Sequence, residues 1–325
     1  FFIQIFTEML CYYTAAPVIH VAVIIQMLGP YKADFINKMK IIDIIKADKP
    51  SLSFEVFPPK TSDNFESVMA ATTEIAKLSP SYMSVTYGAG GGTSEYTAEI
   101  ASSLMKMGVT SLAHLTCISS TREEVHGLLK NLKEKGIENI LALRGDIPKD
   151  GLVNANPEYR YASELAKEIR DFGGFCIGGA CYPEGHPDSE NGVKDIESLK
   201  IKVENGCEFL TTQMFFDNNI LYNFLYRLYK AGVNVPVVPG IMPVTNASQI
   251  KRICSISQNA LPQQFVRLVD RYGDNPLAMK QAGIAYATDQ IIDLYANGIK
   301  NVHVYTMNSP DVARKIQSNL SDILG

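Results

Sequence analysis

From residue 50 to the C-terminus, short apolar runs alternate with longer stretches whose hydrophobic residues recur every three or four positions. The runs fall at 52–57, 82–87, 111–117, 139–144, 176–182, 208–214, 237–242 and 302–307, and their length predicts strands. The stretches between them, such as 64–78, 95–107, 122–135 and 196–205, carry the helical period. Helix starts are marked by Asp63 with Glu66, Thr121 with Glu124, Asn246 with Gln249, and Ser309 followed by Pro310. Helix ends fall near Gly108, Gly136, Gly206, Gly232 and Gly298. Strand–helix repetition with short connections predicts parallel strands joined by right-handed crossovers. Eight such units predict an α/β fold, a (β/α)8 TIM barrel, with extra helices near 262–271 and 276–296 between the seventh and eighth strands. A doubly wound open sheet is the alternative architecture.

The first 38 residues follow a different pattern. They are strongly apolar, and 9–28 is long enough to span a bilayer, yet the basic start and cleavage site of a signal peptide are missing. At Met39 an ordinary amphipathic pattern begins. Residues 1–38 are expected to be an apolar extension outside the fold, with a membrane anchor or a helix packed on the barrel as alternatives. Residues 39–325 are expected to form one domain.

Composition narrows the function. Hydrophobic residues make up 46% and charged residues 20%, which excludes a disordered chain. The formal charge is −4 and no basic block occurs, which argues against nucleic-acid binding. Six cysteines lie scattered with no C-x-x-C pair, which predicts reduced thiols in a cytoplasmic protein and no metal site.

In a barrel, chemistry sits at the C-terminal ends of the strands, and here those ends are polar. Period-two alternation puts Ser53, Glu55 and Phe57 on one face and Phe54 and Val56 on the other. If the latter meet the helices, Glu55 points into the barrel. Desolvation should raise its pKa and suit it to general-acid work, the alternative being an internal salt bridge. His114 and Thr116 share a face of the third strand, as do Thr211, Gln213 and Phe215 of the sixth, a set suited to a flat heterocycle. Arg144 and Asp146 share a face only if the extended conformation persists through Gly145. The glycine-rich stretch 87–94 departs from the dinucleotide fingerprint and is either a flexible turn or a backbone N–H contact for a ligand.

Taken in order, Ser53-Phe-Glu-Val-Phe-Pro-Pro-Lys60, Ser84-Val-Thr-Tyr-Gly88, His114-Leu-Thr-Cys117, Leu143-Arg-Gly-Asp146, Tyr182-Pro-Glu-Gly-His186-Pro, Thr212-Gln-Met-Phe-Phe-Asp217 and Val304-Tyr-Thr-Met-Asn308 resemble the methylenetetrahydrofolate reductase family over about residues 39–325. The resemblance implies an oxidoreductase barrel with noncovalent FAD at its C-terminal face, reducing 5,10-methylenetetrahydrofolate to 5-methyltetrahydrofolate. Glu55 resembles the proton donor and Asp146 the carboxylate beside flavin and pterin. The implied cofactor contacts are Thr86 for the nicotinamide, and Tyr87, Ala89, His114, Arg144, Gly145, Asp146, Tyr161, Ala162, Tyr182, His186, Asp195 and Lys202 for FAD. Gln213 and Gln249 correspond to substrate-binding glutamines, Gln249 being equally readable as the capping partner of Asn246.

Electrons would come from NADH or NADPH. The alternatives are a ferredoxin-type donor protein or a non-catalytic folate-binding subunit. A homo-oligomer is possible and no membrane partner is expected. Two departures stand out: Ser309 replaces a substrate-binding Arg of bacterial relatives, and Ser198 and Ile201 replace an Asn and an Arg beside the flavin.

Overall fold

A computed structural model describes residues 39–59, 61–87, 94–147, 157–250, 253 and 260–325. The expectations for residues 1–38, for Ala89 and for most of the glycine-rich stretch lie outside the described residues. The strands are β1 (Ser51–Val56), β2 (Met83–Val85), β3 (Ser111–Thr116), β4 (Asn139–Leu143), β5 (Cys176–Cys181), β6 (Phe209–Thr212), β7 (Val237–Val238), β8 (Gly240–Ile241) and β9 (Asn301–Tyr305). All pairings are parallel, in the order β7-β6-β5-β4-β3-β2-β1-β9-β8.

The seventh predicted strand is thus two short pieces interrupted at Pro239, which has no N–H to give a ladder. Its first piece pairs with β6 and its second with β9, and the Pro239 carbonyl accepts from the His303 N–H at 2.8 Å. One broken segment therefore joins the two edges, and the sheet curls into the TIM-barrel arrangement rather than an open one.

The helices are α1 (Ile41–Lys46), α2 (Phe65–Ala76), α3 (Ser94–Lys106), α4 (Arg122–Glu134), α5 (Ala162–Phe172), α6 (Gly192–Glu204), α7 (Asn218–Lys230), α8 (Gln263–Tyr272), α9 (Pro276–Ala296), α10 (Pro310–Asn319) and α11 (Ser321–Leu324). The extra helices expected near 262–271 and 276–296 are α8 and α9, and residues 247–250 are helical as well. Among the described residues, no helix is long and apolar enough to cross a membrane.

Local chemistry explains most boundaries. Thr121 and Glu124 form the predicted capping box of α4. Asp63 with Glu66 does not cap α2; a 3-10 turn over Ser62–Asn64 precedes that helix instead. Helix α6 begins earlier than its apolar period because the Asn191 side chain accepts from the Val193 and Lys194 N–H groups.

Alternation along the strands divides the core in two. Phe54, Val56, Ala113, Leu115, Ile140, Ala142, Val302 and Val304 face outward into the helix layer. Tyr82, Leu112, Leu141, Phe209 and Val238 face inward and form an apolar floor with Ile41, Ile42, Ile44 and Ile45 of α1. A six-residue helix is marginal on its own, so α1 depends on this contact. It is pinned at both ends: Asn139 accepts from the Ile41 N–H at 2.8 Å, and Asn301 donates to the Ile45 carbonyl at 2.9 Å. The apolar floor closes the N-terminal end of the barrel, which leaves the polar inward positions at the opposite mouth.

Gly178 on β5 lets the floor close, since a Cβ there would lie 2.4 Å from the Phe209 ring and 2.9 Å from Leu141. Gly178→Ala is expected to cost about 1–3 kcal/mol through overpacking. Urea denaturation measures this, and an unchanged midpoint contradicts the packing described.

Candidate active site

The polar mouth is built around β1. Register sets Glu55 of β1 beside Ser84 of β2 on one side and Tyr305 of β9 on the other, and sets Ser53 beside His303. Its side chain is largely buried, with 18% exposure. Ser84 Oγ donates to Glu55 Oε2 at 3.2 Å, while His114 Nε2 and His303 Nε2 approach the same oxygen at 3.5 and 3.8 Å. His303 is held between hydroxyls, with Ser53 Oγ 2.8 Å from Nδ1 and Ser84 Oγ 3.0 Å from Nε2.

The Tyr-Thr-Met-Asn segment clamps this strand. Thr306 donates to the Glu55 carbonyl at 2.7 Å. Asn308 accepts from the Phe57 N–H and donates to the Phe57 carbonyl, each at 2.9 Å. Met307 and Asn308 both sit at positive φ, backbone strain that this two-way bond offsets. The Tyr305 hydroxyl donates to the Thr212 carbonyl, and Gly240 makes room for it: a Cβ there would lie 2.3 Å from the Tyr305 oxygen.

Electrostatics correct one expectation. Burial pushes the Glu55 pKa up, as the sequence reading held, but His303, His114 and the Ser84 hydroxyl pull it down further, and the net direction is down. The partners that reverse the sign come from three other strands. Burial pushes His114 down to about 4 despite the attraction of Glu55, so at neutral pH its ring is uncharged. Burial also raises Tyr82 and Tyr305, which stay protonated.

Beside this mouth lies a cleft of about 1380 Å³. Thr86 and Tyr87 line it from the end of β2, His114 and Thr116 from β3, and Arg144, Gly145 and Asp146 from the end of β4. Tyr161 and Ala162 contribute from the start of α5, Tyr182 and His186 from the turn after β5, and Asp195 and Lys202 from α6. The structure therefore brings all the described flavin-contact candidates to one cleft. His114 belongs to both regions, since it lines the cleft and meets Glu55.

Lys202 is half-buried against β5, its ammonium donating to the Ala180 carbonyl at 2.6 Å; desolvation lowers its pKa. Burial likewise raises Asp195 and lowers His186. Arg144 pairs with Asp188 at 2.8 Å. Strand β4 ends at Leu143 and Gly145 takes φ +87°, so the extended conformation that would put Arg144 and Asp146 on one face does not persist.

Three sequence expectations come out differently or stand apart. Phe215 does not join Thr211 and Gln213, because β6 ends at Thr212 and the Phe215 ring is buried in the helix-side core. Gln213 follows the strand, with its N–H donating to the Cys181 carbonyl at 2.7 Å and its side chain meeting Tyr182. Gln249 is not among the residues that line the cleft; its side-chain oxygen accepts from the Thr245 N–H at 3.1 Å, not from the Asn246 N–H that a capping box would use.

Of the departures, Ser198 and Ile201 do line the cleft, but the Ser198 hydroxyl is turned onto the Lys194 carbonyl of its own helix. Ser309 stands at the N-cap of α10 without a side-chain cap bond. The residues that sequence reasoning missed are Ser84, as a partner of Glu55, and His303. Alternation along 302–307 would have put His303 and Tyr305 on the inner face.

His114 gives stability a defined pH dependence. Its folded pKa near 4 lies below the unfolded value of 6.5, so the unfolded state binds the extra proton between them. Stability is then lost as pH falls through this window, by about 3 kcal/mol from this group. In urea titrations from pH 7 to pH 4, His114→Gln is expected to show a shallower acid loss than the parent; equal slopes contradict a buried neutral His114.

Comparison with known proteins places this geometry. The family model for methylenetetrahydrofolate reductase matches residues 40–321. The chain is 34% identical over 302 residues to "Methylenetetrahydrofolate reductase (NADH) 1" of Arabidopsis thaliana, covering 87% of this chain and 51% of that protein. It is 34% identical over 267 residues to the 5,10-methylenetetrahydrofolate reductase of Pectobacterium carotovorum, covering 82% and 88%, and 33% identical to that of Escherichia coli K12, covering 82% and 89%. The chain thus spans about half the length of the plant relatives and most of the bacterial ones. A solved structure described as an uncharacterized protein from Clostridium thermocellum that binds two copies of 5-methyl-5,6,7,8-tetrahydrofolic acid shares the fold at TM-score 0.58 and 13% identity, covering 86% of this chain and 99% of that one. With a family match over most of its length and relatives at one-third identity, the chain belongs to the methylenetetrahydrofolate reductase family.

Proposed function

We propose that this chain reduces 5,10-methylenetetrahydrofolate to 5-methyltetrahydrofolate, with FAD held in the cleft and NADH or NADPH as electron donor. The observation that carries the reading is the junction at His114, where a largely buried carboxyl group in the barrel mouth meets a cleft of dinucleotide size. The cleft exceeds the roughly 300–1000 Å³ typical of small-molecule pockets. Its cations, Arg144 and Lys202, suit a diphosphate, and its aromatic residues Tyr161 and Tyr182 suit ring systems, so the residues fit the cofactor. Ser198 and Ile201 bring no charge there, which leaves the anion grip to Arg144 and Lys202. The name of the Arabidopsis relative favours NADH.

When bound, the flavin supplies hydride chemistry; the chain supplies position, charge and a proton. Glu55 protonates the substrate nitrogen whose departure opens the five-membered ring, and the positive charge that develops on the substrate is met by the carboxylate of Asp146. Gln213, anchored beside Tyr182, offers amide hydrogen bonds to the pterin. Thr86, at the end of β2, lines the cleft as the nicotinamide contact, next to Tyr87 as a flavin contact. The net downward direction leaves Glu55 a carboxylate that must take up a proton before it can act as the acid.

Glu55→Gln is expected to lower formation of 5-methyltetrahydrofolate by at least about 100-fold while the protein still retains FAD. Product measured by chromatography with flavin content by absorbance tests this, and turnover surviving in the variant removes Glu55 as the acid. Lys202→Met is expected to weaken FAD about tenfold, or about 1.4 kcal/mol, as read by titration of flavin fluorescence. Unchanged affinity contradicts its place in the cofactor grip.

A further inference from the structure

The hydrogen bonds around Glu55 fix a proton count. Ser84 has one hydroxyl hydrogen, and the geometry gives it to Glu55 Oε2. The Ser84–His303 contact at 3.0 Å then requires a proton on Nε2. Ser53 likewise donates its one hydrogen to the Val302 carbonyl at 3.1 Å, so its 2.8 Å contact with His303 requires a proton on Nδ1. All four bonds coexist when His303 is an imidazolium and Glu55 a carboxylate. They coexist equally when that proton lies on Glu55: the carboxylic acid donates to Ser84, Ser84 donates to Nε2, and Nδ1 still donates to Ser53. No heavy atom moves between the two states.

The ring itself is fixed. Tyr82 stacks on it at 5.6 Å and 8°, and Tyr305 meets it edge-on at 5.5 Å and 89°. His303 is 1% exposed, so the paired hydroxyls replace water on both nitrogens. The titratable groups facing the pair are Tyr82 beside β2, His114 on β3 and Tyr305 on β9. Burial keeps the two tyrosines protonated and His114 neutral. His114 makes no hydrogen bond through Nε2 that would serve instead.

We propose that His303 is a positioning residue that stores the proton Glu55 delivers, exchanged through the hydroxyl of Ser84. The proposal rests on the acid role of Glu55 given above and supplies what that role lacked, a source of protons for a carboxyl group that is a carboxylate at rest. In the transfer, the Nε2–H bond breaks as the proton passes to Ser84 Oγ, and the Ser84 hydrogen passes to Glu55 Oε2. Glu55 then gives its proton to the departing substrate nitrogen. One proton from water, entering at the partly exposed Glu55, restores the pair in each turnover.

Two measurements separate this proposal from the functional reading. The first uses 15N-histidine-labelled protein at pH 7, with His303 assigned by a His303→Asn variant. The expected spectrum shows both His303 ring nitrogens protonated in the parent and only one in Glu55→Gln. A singly protonated His303 in the parent overturns the proposal whatever the protein's substrate. The same spectrum with no folate turnover leaves the proton store standing and removes the functional reading instead.

The second measurement is single-turnover oxidation of the reduced enzyme by methylenetetrahydrofolate across pH. Ser84→Ala is expected to slow it at least about tenfold and to start the alkaline decline at lower pH, whereas Ser84→Thr, which keeps the hydroxyl, restores the parent profile. A Ser84→Ala profile parallel to the parent's, merely scaled down, assigns Ser84 a structural role and overturns the exchange route.

Discussion

A carboxyl group inside a closed barrel must be satisfied by protein atoms, because little water reaches it. Glu55 is in that position, and much of the mouth is arranged to hold it. Ser84 donates to its Oε2 and His303 approaches the same oxygen, Thr306 holds its carbonyl, and Asn308 locks the next turn of chain. The apolar floor made by α1 and the inner faces of β2, β3, β4 and β6 is the counterpart of this arrangement. It fills the lower half of the barrel with side chains, so that polar residues and solvent are confined to the strand ends.

The site therefore divides its work by depth. The mouth is dense and hydrogen-bonded, which suits control of a single proton. The cleft alongside is wide and lined by two cations, carboxylates and the tyrosines Tyr87, Tyr161 and Tyr182, which suits binding of large ligands in turn. His114 sits on the boundary, uncharged at neutral pH, and so adds no fixed charge between the two regions.

Much of this was legible in the sequence, and the reasons are local. The period of two in β1 turns Glu55 inward, and apolar runs at even spacing give the strands. The break at Pro239 was missed because an apolar run of this kind still reads as a strand, although proline withholds the ladder bond. Phe215 was assigned to the wrong face because β6 stops at Thr212 and alternation carries no information past the end of a strand. The pKa direction of Glu55 was misjudged for a different reason. Burial can be inferred along one strand, whereas the opposing His303 lies on the far end of the chain; 250 residues separate Ser53 from its ring. Only closure of the barrel brings them together.

The most direct test of the account is the visible spectrum of the purified chain, reconstituted with FAD and followed without oxygen through addition of NADH and then methylenetetrahydrofolate. The account predicts a flavin band that NADH bleaches and the folate restores. A protein that takes up no flavin, or whose chemically reduced flavin the folate leaves unoxidised, would contradict it.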